Sequence, residues 1–393
     1  MSNIPKLRFP EFSGEWEGKK LDSLSLINPK PGDLPEIFSY IDLESVKNGV
    51  LLQEKIIKKE EAPSRAQRLL EEKDILFQTV RPYQRNNYFF NSKSPTVAST
   101  GYAQFRVNKN NYPSFLYQYL YTNNFVKNVL DRCSGTSFPA ISTNDLLEIC
   151  LHIPSLAEQQ RIADFLSNVD SIITAETKIL NTLQKKKKAL MQKLFTQQLR
   201  FKSADGTDFP AWEEKKMSDI CSVNQGLQIT IENRLLEKKI NCYFYITNEF
   251  IKTGTKYKYY IENPPKNVLC TKDDILMTRT GNTGIVVTDI DGCFHNNFFK
   301  INYSRDLVIK GFLVQFFKLS TTQKRILVLA GSSTIPDLNH KDFYSLTIQL
   351  PCKAEQQKIA DCLSNLDSLI QNQQKVVTTW QQRKKALLQQ MFV

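Results

Sequence analysis

PSLAEQQRIADFLSNVDSIITAETKILNTLQKKKKALMQKLF, from Pro154 to Phe195, is answered by PCKAEQQKIADCLSNLDSLIQNQQKVVTTWQQRKKALLQQMF, from Pro351 to Phe392. The offset is a constant 197 residues, and 23 of the 42 positions are identical without a gap. Shared helical composition does not give that; a duplication does. Each copy is a long helix by its own periodicity. Ser155-x-x-Glu158 after Pro154 reads as a capping box that starts the first. The second has Cys352 at the cap position, which weakens that end.

Apolar residues recur at 4,3 spacing, the heptad seam of a coiled coil. The seam is Ile162, Leu166, Val169, Ile173, Leu180 and Leu183 in the first copy and Ile359, Leu363, Leu366, Ile370, Val377 and Trp380 in the second. Polar residues interrupt it at the same two places in both copies, Glu176 and Lys187, then Gln373 and Lys384. Polar seam residues cost stability and fix register or orientation. Two such helices in one chain most simply pack on each other, and the region between them lets the chain return, so an antiparallel pair is expected. A helix of about 40 residues is about 60 Å long, longer than the ~34–36 Å of one DNA turn. The basic runs Lys185–Lys188 and Arg383–Lys385 favour the macrodipole at a helix end and read chiefly as a solvated face.

Working outward, the repeat continues more weakly. Leu7-Arg8-Phe9 through Trp16 answers Leu199-Arg200-Phe201 through Trp212. Asp74-Ile75-Leu76 answers Asp274-Ile275-Leu276, and Gly135-Thr136-Ser137-Phe138-Pro139 answers the loop from Gly331 to Pro336. The globular regions between have mostly diverged while the long segments remain near copies. The period is domain-sized, which excludes a solenoid. Short apolar runs such as Tyr243–Ile246, Gly284–Val287 and Phe298–Ile301 read as strands, and Ser114–Leu130 and Lys310–Leu329 as helices, giving an α+β domain in each half.

Composition narrows the function. The chain has 393 residues, a net charge of +12, 41% apolar and 23% charged residues, the profile of a globular protein suited to a polyanionic partner. Eight cysteines with no Cys-x-x-Cys pair and only three histidines offer no zinc signature. No signal peptide or run of about 20 apolar residues appears, so a cytoplasmic protein without membrane attachment is expected. Walker A, Gly-x-Ser-x-Gly and His-Glu-x-x-His sequences are absent. Asn263-Pro264-Pro265-Lys266 approaches an amino-methyltransferase motif but has Lys266 where an aromatic must stack. Pro336-Asp337 has no acid-x-Lys after it to complete a nuclease triad.

The matched strand in each half runs into a polar, basic turn: Arg81, Tyr83, Gln84, Arg85 and Asn86 in the first, Arg279, Thr280, Asn282 and Thr283 in the second. Arg reads guanine, and Asn or Gln reads adenine, in the major groove. Lys256, Tyr257 and Lys258, flanked by Lys252 and Tyr259, form a basic-aromatic stretch suited to phosphates and stacking. These are the candidate DNA-contacting residues.

The lead-ins, the Gly-Thr/Ser loops and the paired AEQQ-(R/K)-IAD-x-LSN-(V/L)-D helices together resemble the specificity (S) subunit of type I restriction–modification enzymes, over nearly the whole chain. The resemblance implies two globular target-recognition domains joined by two long antiparallel coiled-coil helices, a pseudo-twofold internal repeat. Its domains are target-recognition domain 1 at 1–154, a spacer helix at 155–197, target-recognition domain 2 at 198–351 and a second spacer helix at 352–393. It implies binding of a split, asymmetric double-stranded DNA sequence, with the helices setting the gap and docking two methyltransferase (M) subunits, which motor-nuclease (R) subunits join. No cofactor is expected in this chain: S-adenosylmethionine, ATP and magnesium would bind partner subunits, and the chain itself would catalyse nothing. Two other readings are a coiled-coil scaffold joining two protein-binding domains and a self-sufficient DNA methyltransferase or nuclease.

Overall fold

A computed structural model describes residues 3–30, 32–254, 258–331 and 334–393. Two continuous helices dominate it, Leu156–Phe195 and Lys353–Met391. The capping hydroxyl does half of what the sequence suggests. Ser155 Oγ accepts the Glu158 N–H at 3.3 Å, but the Glu158 carboxylate turns away to Arg8. The second helix starts at the equivalent residue, Lys353, although Cys352 offers no cap, because Glu355 and Gln356 are anchored as described below. All twelve apolar seam residues are buried or half-buried.

By compactness the chain forms two units, and each takes part of both helices. The first is Met1–Lys178 with Gln374–Val393; the second is Ile179–Gln373. Within the first, the start of one helix meets the end of the other. Ile162 and Leu166 share a core with Leu388, Met391 and Phe392, and Asp170 pairs with Lys384 at 2.7 Å. The helices therefore run antiparallel there. Within the second unit the same holds with roles exchanged: Met191 and Leu194 share a core with Ile359 and Leu363, and Lys187 pairs with Asp367 at 2.6 Å.

The two units repeat one topology in their main sheets, although their sequences have diverged; the first adds a small ribbon, Val46–Lys47 with Val50–Leu51. In the first, Ser25–Ile27, Tyr102–Val107, Ile75–Gln78 and Tyr88–Phe89 form an antiparallel sheet in that order. In the second, Cys221–Gln225, Phe298–Tyr303, Ile275–Thr278 and Val286–Val287 do the same. A second four-stranded sheet in each contains one parallel pair, Ile37–Ile41 with Thr96–Ser99 and Cys242–Ile246 with Gly292–Phe294. A two-stranded ribbon ties each lead-in to the residues before the long helix, Glu17–Lys20 with Cys150–Ile153 and Glu213–Lys216 with Thr347–Leu350. The strands Ile75–Gln78 and Ile275–Thr278 are buried at every position, which explains why ILFQ and ILMT do not alternate in polarity.

Three expected elements differ. The Ser114–Leu130 helix is two, Pro113–Tyr119 and Asn123–Leu130. Thr122 adopts extended backbone and its hydroxyl accepts the Phe125 N–H, so an N-cap interrupts the run. Lys310–Leu329 likewise breaks at Leu319, whose ψ of 134° is extended. The Gly284–Val287 strand shortens to Val286–Val287. Gly284 has φ +92°, and a Cβ there would sit 2.9 Å from the Gln323 side chain, so the strand cannot begin at it.

Candidate nucleic-acid interface

The matched residues divide into those that hold each unit together and those that face outward. Arg8 grips the Glu158 carboxylate with Nε and Nη2 at 2.7 and 2.8 Å, and Trp16 Nε1 lies 3.4 Å from the same group. Arg200 grips Glu355 at 3.1 and 2.7 Å, with Trp212 Nε1 at 2.9 Å. Both carboxylates are almost fully buried; the forked guanidinium makes that burial tolerable. The next residue clamps the short helix that precedes it in the fold. Gln159 Oε1 accepts the Tyr112 N–H at 2.9 Å, and Gln356 Oε1 accepts that of Ile309 at 2.8 Å.

The polar seam lysines complete the frame. Lys384 and Gln118 both donate to Asp170, and Lys187 and Gln315 both donate to Asp367. Burial alone would raise the Asp367 carboxyl, but hydrogen bonds from Lys187 and Gln315 and the lysine charge hold it below the usual carboxylate range. Lys187 is thus half-buried and paired, not part of a solvated face, whereas Lys185, Lys186 and Lys188 are exposed. None of these partnerships is visible in the spacing alone. The identical Arg and Trp of the two lead-ins were the signal that could have found them.

The outward site forms where the buried strand ends. In the first unit the strand Ile75–Gln78 leads into Arg81, whose N–H donates to Pro139 O at 2.7 Å. Val80 bridges Ala140, so the turn and the Gly135–Pro139 loop lie side by side. In the second, Thr280 bridges Asp337, and the Gly281 N–H donates to Pro336 O at 3.2 Å. The same two loops therefore meet in both units.

The candidate side chains differ in what they can offer. Arg81 stacks on Phe138, 4.1 Å from the ring centroid, and its Nε is buried without a hydrogen-bond partner. Tyr83 is 50% and Phe138 60% exposed. Gln84 is exposed and accepts from Gln78. Asn86 is half-buried, and its Oδ1 accepts the Asn48 N–H. Arg85 is turned inward, donating to Tyr121 O at 2.9 Å and Asn123 Oδ1 at 2.8 Å. In the second unit Arg279 donates to Asp337 at 2.7 Å and lies against Phe299, and the Thr280 hydroxyl meets the same carboxylate. Asn282 is exposed. Thr283 is buried, its hydroxyl 2.9 Å from Arg279 O and 2.8 Å from Pro336 O. Thr283 presents no group to a base in this arrangement; it fixes the loop. Lys258 is exposed, and Lys256 and Tyr257 lie outside the described residues. Gln78 and Thr278, which no sequence motif marks, organise these turns, and so does Asp337, which the sequence offers only as part of an incomplete nuclease triad. Among the described residues no His, Cys, Asp and Glu cluster could hold a metal ion, and no helix is long and apolar enough to cross a membrane.

Comparison with known proteins agrees with the doubled fold. A family model for the type I restriction modification DNA specificity domain matches residues 14–185 and again 211–379. The chain is 24% identical over 276 residues to the MjaVIII specificity subunit of Methanocaldococcus jannaschii, covering 65% of this chain and 64% of that one. It is 30% identical over 162 residues to the HindI specificity subunit of Haemophilus influenzae, 40% of this chain and 35% of that one. The match thus spans just under two thirds of the first relative's length and about a third of the second's. Among solved structures, the type I restriction–modification S subunit from M. genitalium superposes with a TM-score of 0.60 at 16% identity, covering 99% of both chains. A chain from a type I restriction–modification complex gives 0.58 at 21%, covering 96% of this chain and 97% of that one. At those identities the likeness is one of fold.

Proposed function

The chain belongs to the type I restriction–modification DNA specificity family, and from that premise we propose that it is the sequence-reading subunit of such an enzyme. Each unit takes one half of a two-part, asymmetric duplex site. Exposed basic residues make salt-dependent phosphate contacts. The paired loops around Arg81–Asn86 and Arg279–Thr283 face the base edges. The observation that carries the reading is the contrast between like frames and unlike loops. The two units share one topology and one set of Arg–Glu–Trp clamps, yet QTVRPYQRNN in one stands where TRTGNTG stands in the other. Two different half-sites demand such a difference.

The partners follow from what is left exposed on the long helices. Many identical positions are consumed by the clamps and the seam. Asp164, Asn168 and Ser171 are not, nor are their equivalents Asp361, Asn365 and Ser368; all are exposed. Exposed apolar Ile172 and Leu369 continue the stripe. Each unit thus carries the same surface, as two identical methyltransferase subunits require. Motor-nuclease subunits join the assembly through them. S-adenosylmethionine, ATP and magnesium belong to those partners, and this chain contributes recognition without bond chemistry.

Mapping methylated bases genome-wide with and without this gene tests the reading. A two-part motif, modified on both strands and lost with the gene, is the expected result. An unchanged methylation pattern in a strain that expresses the partner methyltransferase overturns it.

A further inference from the structure

In both units a single buried polar side chain closes the last position of the central strand and reaches into the turn that follows. In the first unit it is Gln78, 3% exposed. Its Nε2 donates to Gln84 Oε1 at 2.9 Å, its Oε1 accepts the Asn86 N–H at 3.2 Å, and its own N–H donates to Asn87 Oδ1 at 3.0 Å. The turn so gathered is strained: Arg81 and Arg85 are both left-handed, with φ of 54° and 55°. Non-glycine residues hold that conformation only where the surroundings impose it.

In the second unit the equivalent position is Thr278, fully buried. Its hydroxyl donates to Asn282 O and accepts the Ile285 N–H at 2.9 Å. Its carbonyl accepts the Gly284 N–H at 2.8 Å. The long amide spans a wide turn with two arginines; the short β-branched hydroxyl closes a tight one with two left-handed glycines, Gly281 and Gly284. Neither side chain is accessible enough to touch a ligand.

We propose that Gln78 and Thr278 are positioning residues for sequence specificity: each sets the shape of its unit's reading turn, and so which bases the exposed Gln84 and half-buried Asn86, or the exposed Asn282, can meet. This deepens the DNA-reading function and rests on it. A buried hydrogen-bond network that over-determines a turn is what holds recognition groups to the small tolerances specificity needs.

The experiment uses the full chain, assembled with its methyltransferase subunits, and a pool of duplexes randomised at both half-sites, sequenced after selection. Thr278→Val keeps the shape and removes the hydroxyl; Thr278→Ser restores it; Gln78→Met keeps length and removes the amide. Thr278→Val should lower base discrimination at one half-site by about tenfold or more, consistent with the loss of one well-placed base contact, and leave the other half-site as in wild type. Thr278→Ser should match wild type. Gln78→Met should act on the opposite half-site alone. Amide hydrogen exchange gives a second reading: Ile285 in Thr278→Val and Asn86 in Gln78→Met should lose protection while the central strands keep theirs. Wild-type preference at both half-sites in both variants, or unchanged protection, overturns the inference and leaves the function standing. A wild-type assembly that selects no two-part sequence overturns the function itself.

Discussion

Replacing Arg200 by Met tests the clamp on which each unit is built. The substitution removes two donors to Glu355 and the contacts of Nη2 with Phe209 O and Pro210 O. It leaves a carboxylate of zero exposure facing the Trp212 N–H. Stripping one partner from a buried ion pair costs about 3–5 kcal/mol. Arg200 is 26% exposed, so water already screens part of the attraction, and about 2–3 kcal/mol is the expected loss. For a unit of this size each kcal/mol moves the midpoint by about 2–4 °C, so a fall of roughly 5–10 °C follows. Adding Glu355→Gln removes the stranded charge and should recover about half the loss, which separates the charge from simple loss of packing. Arg8→Met in the other unit should cost at least as much. Its guanidinium is less exposed, at 13%, and the remaining Trp16 contact is longer, 3.4 Å against 2.9 Å. Thermal and urea unfolding of the full chain, followed by tryptophan fluorescence, reads these changes. If Arg200→Met unfolds within 0.5 kcal/mol (roughly the error of additive comparisons) of wild type, or the double variant is no more stable than the single, the clamp is not what holds the lead-in.

Arg81→Ala should weaken discrimination at one half-site by about 1–3 kcal/mol, measured by competition between duplexes, whereas Arg279→Ala should also lower the unfolding midpoint because it removes the hydrogen bonds that tie the turn to Asp337 and Leu338 O. His295, which accepts the Asn297 N–H at 3.0 Å, is pushed down from 6.5 to about 4 by burial and by the charge of Arg234. As pH falls below 6.5 the unfolded chain gains a proton that the folded ring refuses, so stability should decline towards pH 4 and then level off; His295→Gln should flatten that slope in urea titrations at pH 7 and 5. Asn168→Arg or Asn365→Arg, on the exposed helix stripes, should each cost one methyltransferase copy by native mass spectrometry while DNA affinity of the chain alone is kept; full occupancy in both would contradict the docking surface.

The long helices were readable because a 4,3 spacing of apolar residues needs only a period to be seen, and their near-copy relation exposed the repeat. The breaks at Thr122 and Leu319 were not, because the apolar residues on either side still fall on one helical face and only local backbone choice interrupts them. Of the candidate readers, residue type pointed to two turns that the structure sets beside the equivalent glycine loops, but type does not say whether an arginine's partner is internal. Arg85 and Arg279 are satisfied within their own units, and Thr283 is part of the loop's scaffold. Gln78 and Thr278 escaped notice because they sit in apolar strand runs, where a polar residue reads as an imperfection. Asp170 and Asp367 lay on the helices in plain view, yet their use as shared acceptors depends on Gln118 and Gln315, which lie far off in sequence and belong to segments read only as helices.

The anchoring of Gln118 on Asp170, in addition to the grips at Glu158 and Gln159, has a mechanical result. Glu158 and Asp170 are twelve residues apart on one continuous helix, about 18 Å along its axis. A body riveted to a rod at two stations so far apart can neither swivel about it nor slide along it. Within a unit, the body and the stretch of helix that carries it are therefore expected to turn as one piece.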